Sequence, residues 1–294
     1  MNENENETVI PRSTVIKKGI IAVFCAVLAF AAGEGTAFLL MHTEISADMF
    51  IFLARSIFAL IPFLLLGGKK WLRFGDGDKA IGKTFKFTLP LLICNIVFAL
   101  LLAAAAVYSG IQSGAAGRIL LSVPLALLIG INEELIFRGL LFEGILALIG
   151  RKKKALLTAA VIASVVFGFV HVAGELDFSN AFNLVTALLK TIECTMFAVI
   201  LCYCCTFYHN IIGAILFHAL FDWVVVVPSL LINSELTTEY TGSDQIGGIG
   251  RIIMYGILIA VYLPKTIRSI KSLKAAELTD GIFGNGDAVT DPLK

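Results

Sequence analysis

Asn132-Glu133-Glu134-Leu135-Ile136-Phe137-Arg138-Gly139 sets two adjacent acids and one base inside an apolar run from Ile119 to Ile149. That run is long enough to cross a bilayer, which takes roughly 20 residues. An ionisable side chain at that depth costs about 2.5–3.5 kcal/mol on insertion scales, so it needs a partner or a task. On a helix Glu134 and Arg138 stand four apart with the acid on the N-terminal side, the favourable order for an ion pair. Glu133 points about 100° away, because about 3.6 residues make a turn. The spacing therefore predicts one neutralised carboxylate and one free carboxylate, and the free one can serve as a base.

Two further apolar runs carry histidine. Phe167 and His171 are four apart in one, so the phenyl ring can wall the imidazole; His218 and Asp222 are four apart in another and project toward one point. Ionisable groups that converge from several helices are expensive in lipid unless they serve a site. Residue counting at about 1.5 Å per residue sets the groups at unequal depths. Glu133 and His171 fall about 24–26 Å from the end of the bundle that carries the N-terminus, His218 about 12 Å and Asp222 about 18 Å.

The elements that must position these groups are membrane helices. The chain has 294 residues, 58% hydrophobic and 15% charged, with a mean hydropathy of +0.89. Soluble domains carry about 25% charged residues, so the deficit of charge marks a polytopic membrane protein. Net charge is +1, which gives no basic surface for nucleic acid. Eight apolar runs are expected as helices: 19–41, 49–66, 87–108, 119–149, 155–172, 182–207, 211–231 and 252–263. Unbroken apolar runs exclude a barrel, so the expected fold is an all-α membrane bundle. Residues 1–18 read as a polar N-terminus, 19–274 as the membrane domain with its motif-bearing core at 119–231, and 275–294 as a disordered tail.

Basic residues fall on alternate connections: Arg12, Lys17 and Lys18, then 69–86, then Arg151–Lys154, then Lys265–Lys274. The other connections carry Glu44 and Asp48, Glu175 and Asp177, and Glu235, Glu239 and Asp244, with only Arg118 and Arg251 on that side. The positive-inside rule then places both termini in the cytoplasm, most simply at the plasma membrane. Six cysteines, at 25, 94, 194, 202, 204 and 205, lie within apolar runs and read as small buried hydrophobes. Glu34 and Arg55 are expected to pair across the first two helices, and Lys190 and Glu193, three apart, within the sixth. Gly75-Asp76-Gly77-Asp78 lies in a basic connection outside any apolar run and reads as a turn.

In these motifs the chain resembles the CAAX-protease and bacteriocin-processing (CPBP, or Abi) family of intramembrane proteases. Glu133-Glu134-x-x-x-Arg138 is similar to its EExxxR, Phe167-x-x-x-His171 to its FxxxH, and His218-x-x-x-Asp222 to its HxxxN/D, in the family's order. The resemblance implies hydrolysis of a peptide bond in a membrane-associated or lipidated peptide or protein. It implies that Glu133 activates water, His171 helps to hold it, His218 and Asp222 stabilise the oxyanion, and Glu134 and Arg138 form the supporting pair. Asp222 stands where eukaryotic members have Asn, so it donates a hydrogen bond only when protonated. The favoured reading has no cofactor. Glu133, His171 and His218 nonetheless make a three-donor set of the kind that holds a catalytic zinc. The competing reading is a scaffold, regulator or small-molecule transporter of the same architecture, for which Glu34, Arg55, Lys190 and Glu193 would be the functional charges.

Overall fold

The structure, a computed structural model, describes residues 10–40, 47–72, 77–150, 152, 154–232, 241, 245–276, 281–284 and 289–293. Among them there is no strand, and eight helical spans are long and apolar enough to cross a membrane. The helices are α1 (Arg12–Leu40), α2 (Ala47–Leu66), α3 (Gly77–Ser109), α4 (Ala115–Glu134), α5 (Glu143–Ile149), α6 (Ala155–Val170), α7 (Ala181–Tyr208), α8 (Ile212–Ile232) and α9 (Gln245–Ala275). A π-helical segment, Leu135–Phe142, joins α4 to α5, so the fourth span is one rod with a widened turn. Such segments concentrate at functional sites.

Three spans run further than hydropathy predicts, and α1 is one of them: it opens at Arg12 and takes Lys17 and Lys18, read as part of a polar N-terminus, into its first turns. Lys79, Lys83 and Lys86 belong to the first turns of α3, and Lys265, Arg268, Lys271 and Lys274 to the last turns of α9. Both helices continue past the apolar stretch because straight-chain basic residues are good helix formers. Their charge stays at the same end of the bundle. Arg73, Gly75, Asp76, Arg151, Lys153 and the acidic residues Glu44, Glu235, Glu239 and Asp244 lie outside the described residues. Gly77, expected in a turn, opens α3.

Close helix approaches rest on small residues, as van der Waals packing in lipid requires. The buried face of α1 runs Gly19, Ala22, Ala26, Ala29 and Gly33. A Cβ at Gly19 would sit 2.9 Å from the Gly144 carbonyl oxygen of α5. The expected pair between α1 and α2 forms, with Arg55 Nη2 2.5 Å from Glu34 Oε1 and its guanidinium 4.3 Å over the Phe30 ring. Lys190 and Glu193 pair at 3.0 Å. Cys194, Cys202, Cys204 and Cys205 are buried, Cys25 and Cys94 half-buried, and none is in a disulfide.

The end of the bundle bearing the basic residues is densely filled. Leu140, Phe142, Tyr203 and Ile211 are buried there. The stretch read as a disordered tail contributes to that filling where it is described. Ile282 and Phe283 are buried, the Ile282 amide donates to Glu143 Oε2 at 2.8 Å, and Lys18 Nζ donates to the Phe283 carbonyl at 3.2 Å. Further on, Tyr203 Oη donates to Asp291 Oδ2 at 2.7 Å. The turn into this strap is made by Gly281 at φ +65°, a conformation that a side chain resists.

Candidate functional site

The two acids of the fourth span divide as their spacing requires. Glu134 Oε1 sits 2.9 Å from Arg138 Nη1, and both side chains are wholly buried. The Arg138 guanidinium also lies 4.4 Å over the Phe167 ring, so its flat face is covered as well as its edge. Glu133 is not drawn into this pair. It turns instead into a cavity of about 380 Å³, where its side chain is 17% exposed.

Two glycines fix how closely the histidine helices come to it. Gly130, one turn before Glu134, lies where a Cβ would meet the Ile215 carbonyl oxygen at 2.8 Å and the Ala219 nitrogen at 3.0 Å. With no side chain there, α8 presses its backbone onto α4 and delivers His218. Gly168, just before His171, lies where a Cβ would meet the Thr191 carbonyl oxygen and Thr195 Oγ1, each at 2.5 Å. This contact seats α6 against α7. His171 then follows directly on the last residue of α6.

The result is a cluster of side chains from three spans. His218 Nδ1 lies 2.7 Å from Glu134 Oε1, and its Nε2 lies 3.5 Å from both Glu133 Oε2 and Asp222 Oδ2. His171 Nε2 is 3.8 Å from Glu133 Oε2, and His171 Nδ1 is 2.8 Å from the Phe167 carbonyl oxygen. Phe167 packs against both imidazoles, at 4.5 Å from His171 and 5.9 Å from His218. Glu133, Glu134, Arg138, Phe167, His171, His218 and Asp222 are thus all brought together.

Hydrogen-bond roles follow from which partners can only accept. A carbonyl oxygen cannot donate, so His171 Nδ1 carries a hydrogen, and in the neutral ring its Nε2 presents a lone pair toward Glu133. Two acceptors 3.8 Å apart suit a shared donor such as the two O–H groups of a water molecule. His218 spends its Nδ1–H on the Glu134 carboxylate. Its Nε2, set between two carboxylate oxygens, acts as a donor when the ring is doubly protonated. Glu133 Oε2 has no hydrogen-bond partner of its own among the described residues.

The unequal depths expected for these groups do not persist, and the reason is local. The turn between α7 and α8 is recessed within the bundle. Asn210 and Ile211 are buried, and the Ile211 amide donates to the Trp71 carbonyl at 3.2 Å. Helix α8 therefore starts deeper than the fourth span ends at Ile149, which brings His218 level with Glu133. Hydropathy marks where a run becomes apolar, and cannot mark a helix start that is itself covered by protein.

Other wall residues escape sequence reasoning. Phe197 packs 5.0 Å from the His218 ring, and nothing distinguishes it from its apolar neighbours in the chain. The Lys190–Glu193 pair lines the same cavity. Among the described residues no group of three His, Cys, Asp or Glu is arranged to hold an ion.

Comparison with known proteins bears on the same stretch. The family model described as Type II CAAX prenyl endopeptidase Rce1-like matches residues 114–224, from the start of α4 to the middle of α8. All three motifs lie within it, so the family resemblance carried by the motifs is met over that segment. No curated protein and no solved structure matches the chain.

Proposed function

We propose that this multi-pass membrane protein is an intramembrane endopeptidase of CAAX type, which hydrolyses a peptide bond in a membrane-associated or lipidated peptide or protein. The observation that carries this reading is the placing of Glu133, His171, His218 and Asp222 around one point on a cavity wall. The match to the Rce1-like family over residues 114–224 supports the same class of activity.

Amide hydrolysis needs a base for water and donors aimed at the developing oxyanion. In the proposed sequence Glu133 takes a proton from water, while His171 Nε2 accepts the water's other hydrogen bond. The resulting hydroxide adds to the substrate carbonyl carbon. The negative oxygen of the tetrahedral intermediate receives hydrogen bonds from His218 Nε2–H and from Asp222 in its protonated form. When the C–N bond breaks, Glu133 returns its proton to the departing amine, so atoms and charge balance. Arg138 and Glu134 act one step back. Arg138 neutralises Glu134, and Glu134 fixes the orientation of His218 through Nδ1.

The specific test is a mass-spectrometric comparison of membrane peptides from cells that carry the protein, its Glu133→Gln variant, or neither. The reading expects a shortened species present with the unaltered protein and absent with the variant. A variant that yields the same species at the same level would overturn it. A zinc-dependent reading, with Glu133, His171 and His218 as donors, is tested by chelation of the purified protein. Activity is expected to survive; loss that zinc restores would transfer the base and oxyanion roles to an ion.

We propose from the charge alternation of the connections that both termini lie in the cytoplasm. The rival reading of a scaffold, regulator or small-molecule transporter puts function in Glu34, Arg55, Lys190 and Glu193. Glu34 and Arg55 lie in an ion pair between α1 and α2, where the Glu34 side chain is 69% exposed, and Lys190 and Glu193 pair with each other on the cavity wall.

A further inference from the structure

Among the described residues, the lining of the cavity beside Glu133 extends from the middle of the bundle toward one end. Its deep wall consists of Glu133, Phe197 and His218. From there it extends along Phe52 and Asp48 at the N-terminal end of α2, Glu175 beyond the end of α6, and Val226 in the second half of α8. All four lie toward the end of the bundle that holds the α1–α2, α6–α7 and α8–α9 connections. That is the end with the acidic residues.

A second cavity, also of about 380 Å³, lies in the same half of the bundle. It is walled by Phe98 and Leu102 of α3, Pro228 of α8, and Met254 and Leu258 of α9. Lys190 and Glu193 line both cavities and stand between them. At the opposite end, below His218, space is taken up by Arg138, Phe142, Tyr203 and Ile211, and then by Trp71, Ile282 and Phe283, all buried. The basic residues of α3 and α9, and Lys18 bonded to Phe283, stand at that closed end.

Short connections rich in Lys and Arg stay in the cytoplasm, so the closed end faces the cytoplasm and both cavities face the other way. We infer that the site is reached from the extracytoplasmic half of the bilayer. Its substrate is a membrane peptide whose scissile bond is presented on that side, and the cleaved products leave on that side. This inference rests on the proposed endopeptidase reading for the word substrate. The direction of access itself is a separate, physical property.

The experiment reads that direction without reading activity. Asp48→Cys, at the outer rim, and Val226→Cys, further in, are each compared with Lys152→Cys at the basic end and with the protein carrying no added cysteine. Each is treated with a membrane-impermeant sulfonated maleimide, on intact cells and on inside-out vesicles. The expected result is labelling of Asp48→Cys and Val226→Cys on intact cells, above the native background, and labelling of Lys152→Cys only in inside-out vesicles. Labelling of Asp48→Cys and Val226→Cys only in inside-out vesicles, or in neither preparation, would overturn the inference. Retention of the labelling pattern in Glu133→Gln separates failure of this inference from failure of the hydrolytic reading, because access does not need a working base.

Discussion

Arg138 and Glu134 together bury two charges with no exposure to solvent. Such a pair tolerates loss of one partner poorly, since the other is left charged and alone; the usual cost is about 3–5 kcal/mol. Arg138→Met is therefore expected to lower the thermal unfolding midpoint in detergent sharply, while Glu133→Gln leaves it near that of the unaltered protein. Equal midpoints for Arg138→Met and the unaltered protein would show that Glu134 does not need this partner. The division of labour between the adjacent acids was legible in sequence, because a four-residue spacing leaves Arg138 only one of them. The bond from His218 to Glu134 was not legible. It links residues 84 apart, and no local spacing announces it.

At the scale of elements, the site depends on backbones that touch. Gly130 seats α8 on α4, and Gly168 seats α6 on α7. A methyl group at Gly168 would fall 2.5 Å from a backbone oxygen, so one helix must shift. Overpacking of this kind costs about 1–3 kcal/mol. Gly168→Ala is expected to lower the unfolding midpoint and to reduce cleavage by displacing His171, with helix content by circular dichroism unchanged. Gly174, around which nothing lies within 4 Å of an added Cβ, is the matched control, and Gly174→Ala is expected to leave both measurements unaltered. The eight membrane-length spans found among the described residues were legible from hydropathy alone. Their ends were not, because α3 and α9 carry their helices into basic sequence and α8 starts inside the protein.

For the whole molecule, the structure is asymmetric along the membrane normal. One end is filled and strapped by the chain's last residues, and the other holds both cavities. Phe283 is wholly buried in the filled end. Phe283→Ala is expected to destabilise the protein by about 3–5 kcal/mol through the space it vacates, read as a lower unfolding midpoint. An unaltered midpoint would mean that the strap does not contribute to the fold. The strap is not evident in sequence because the tail lacks hydrophobic periodicity. Its anchors are single residues: Ile282 through its amide to Glu143, and Asp291 to Tyr203.

In the proposed reaction Glu133 and His218 act on one reacting centre. The most direct measurement is a double-mutant comparison of cleavage rates on a membrane peptide, using Glu133→Gln, His218→Ala and the two combined. Removal of one positioned acid–base group costs about 10²–10⁴ in rate, and removal of one oxyanion donor about 10²–10³. Groups that work as a unit lose no more together than apart. A loss of that order is expected from each single change, with little further loss from the pair. Full activity in Glu133→Gln, or losses that multiply as if the residues were independent, would contradict it.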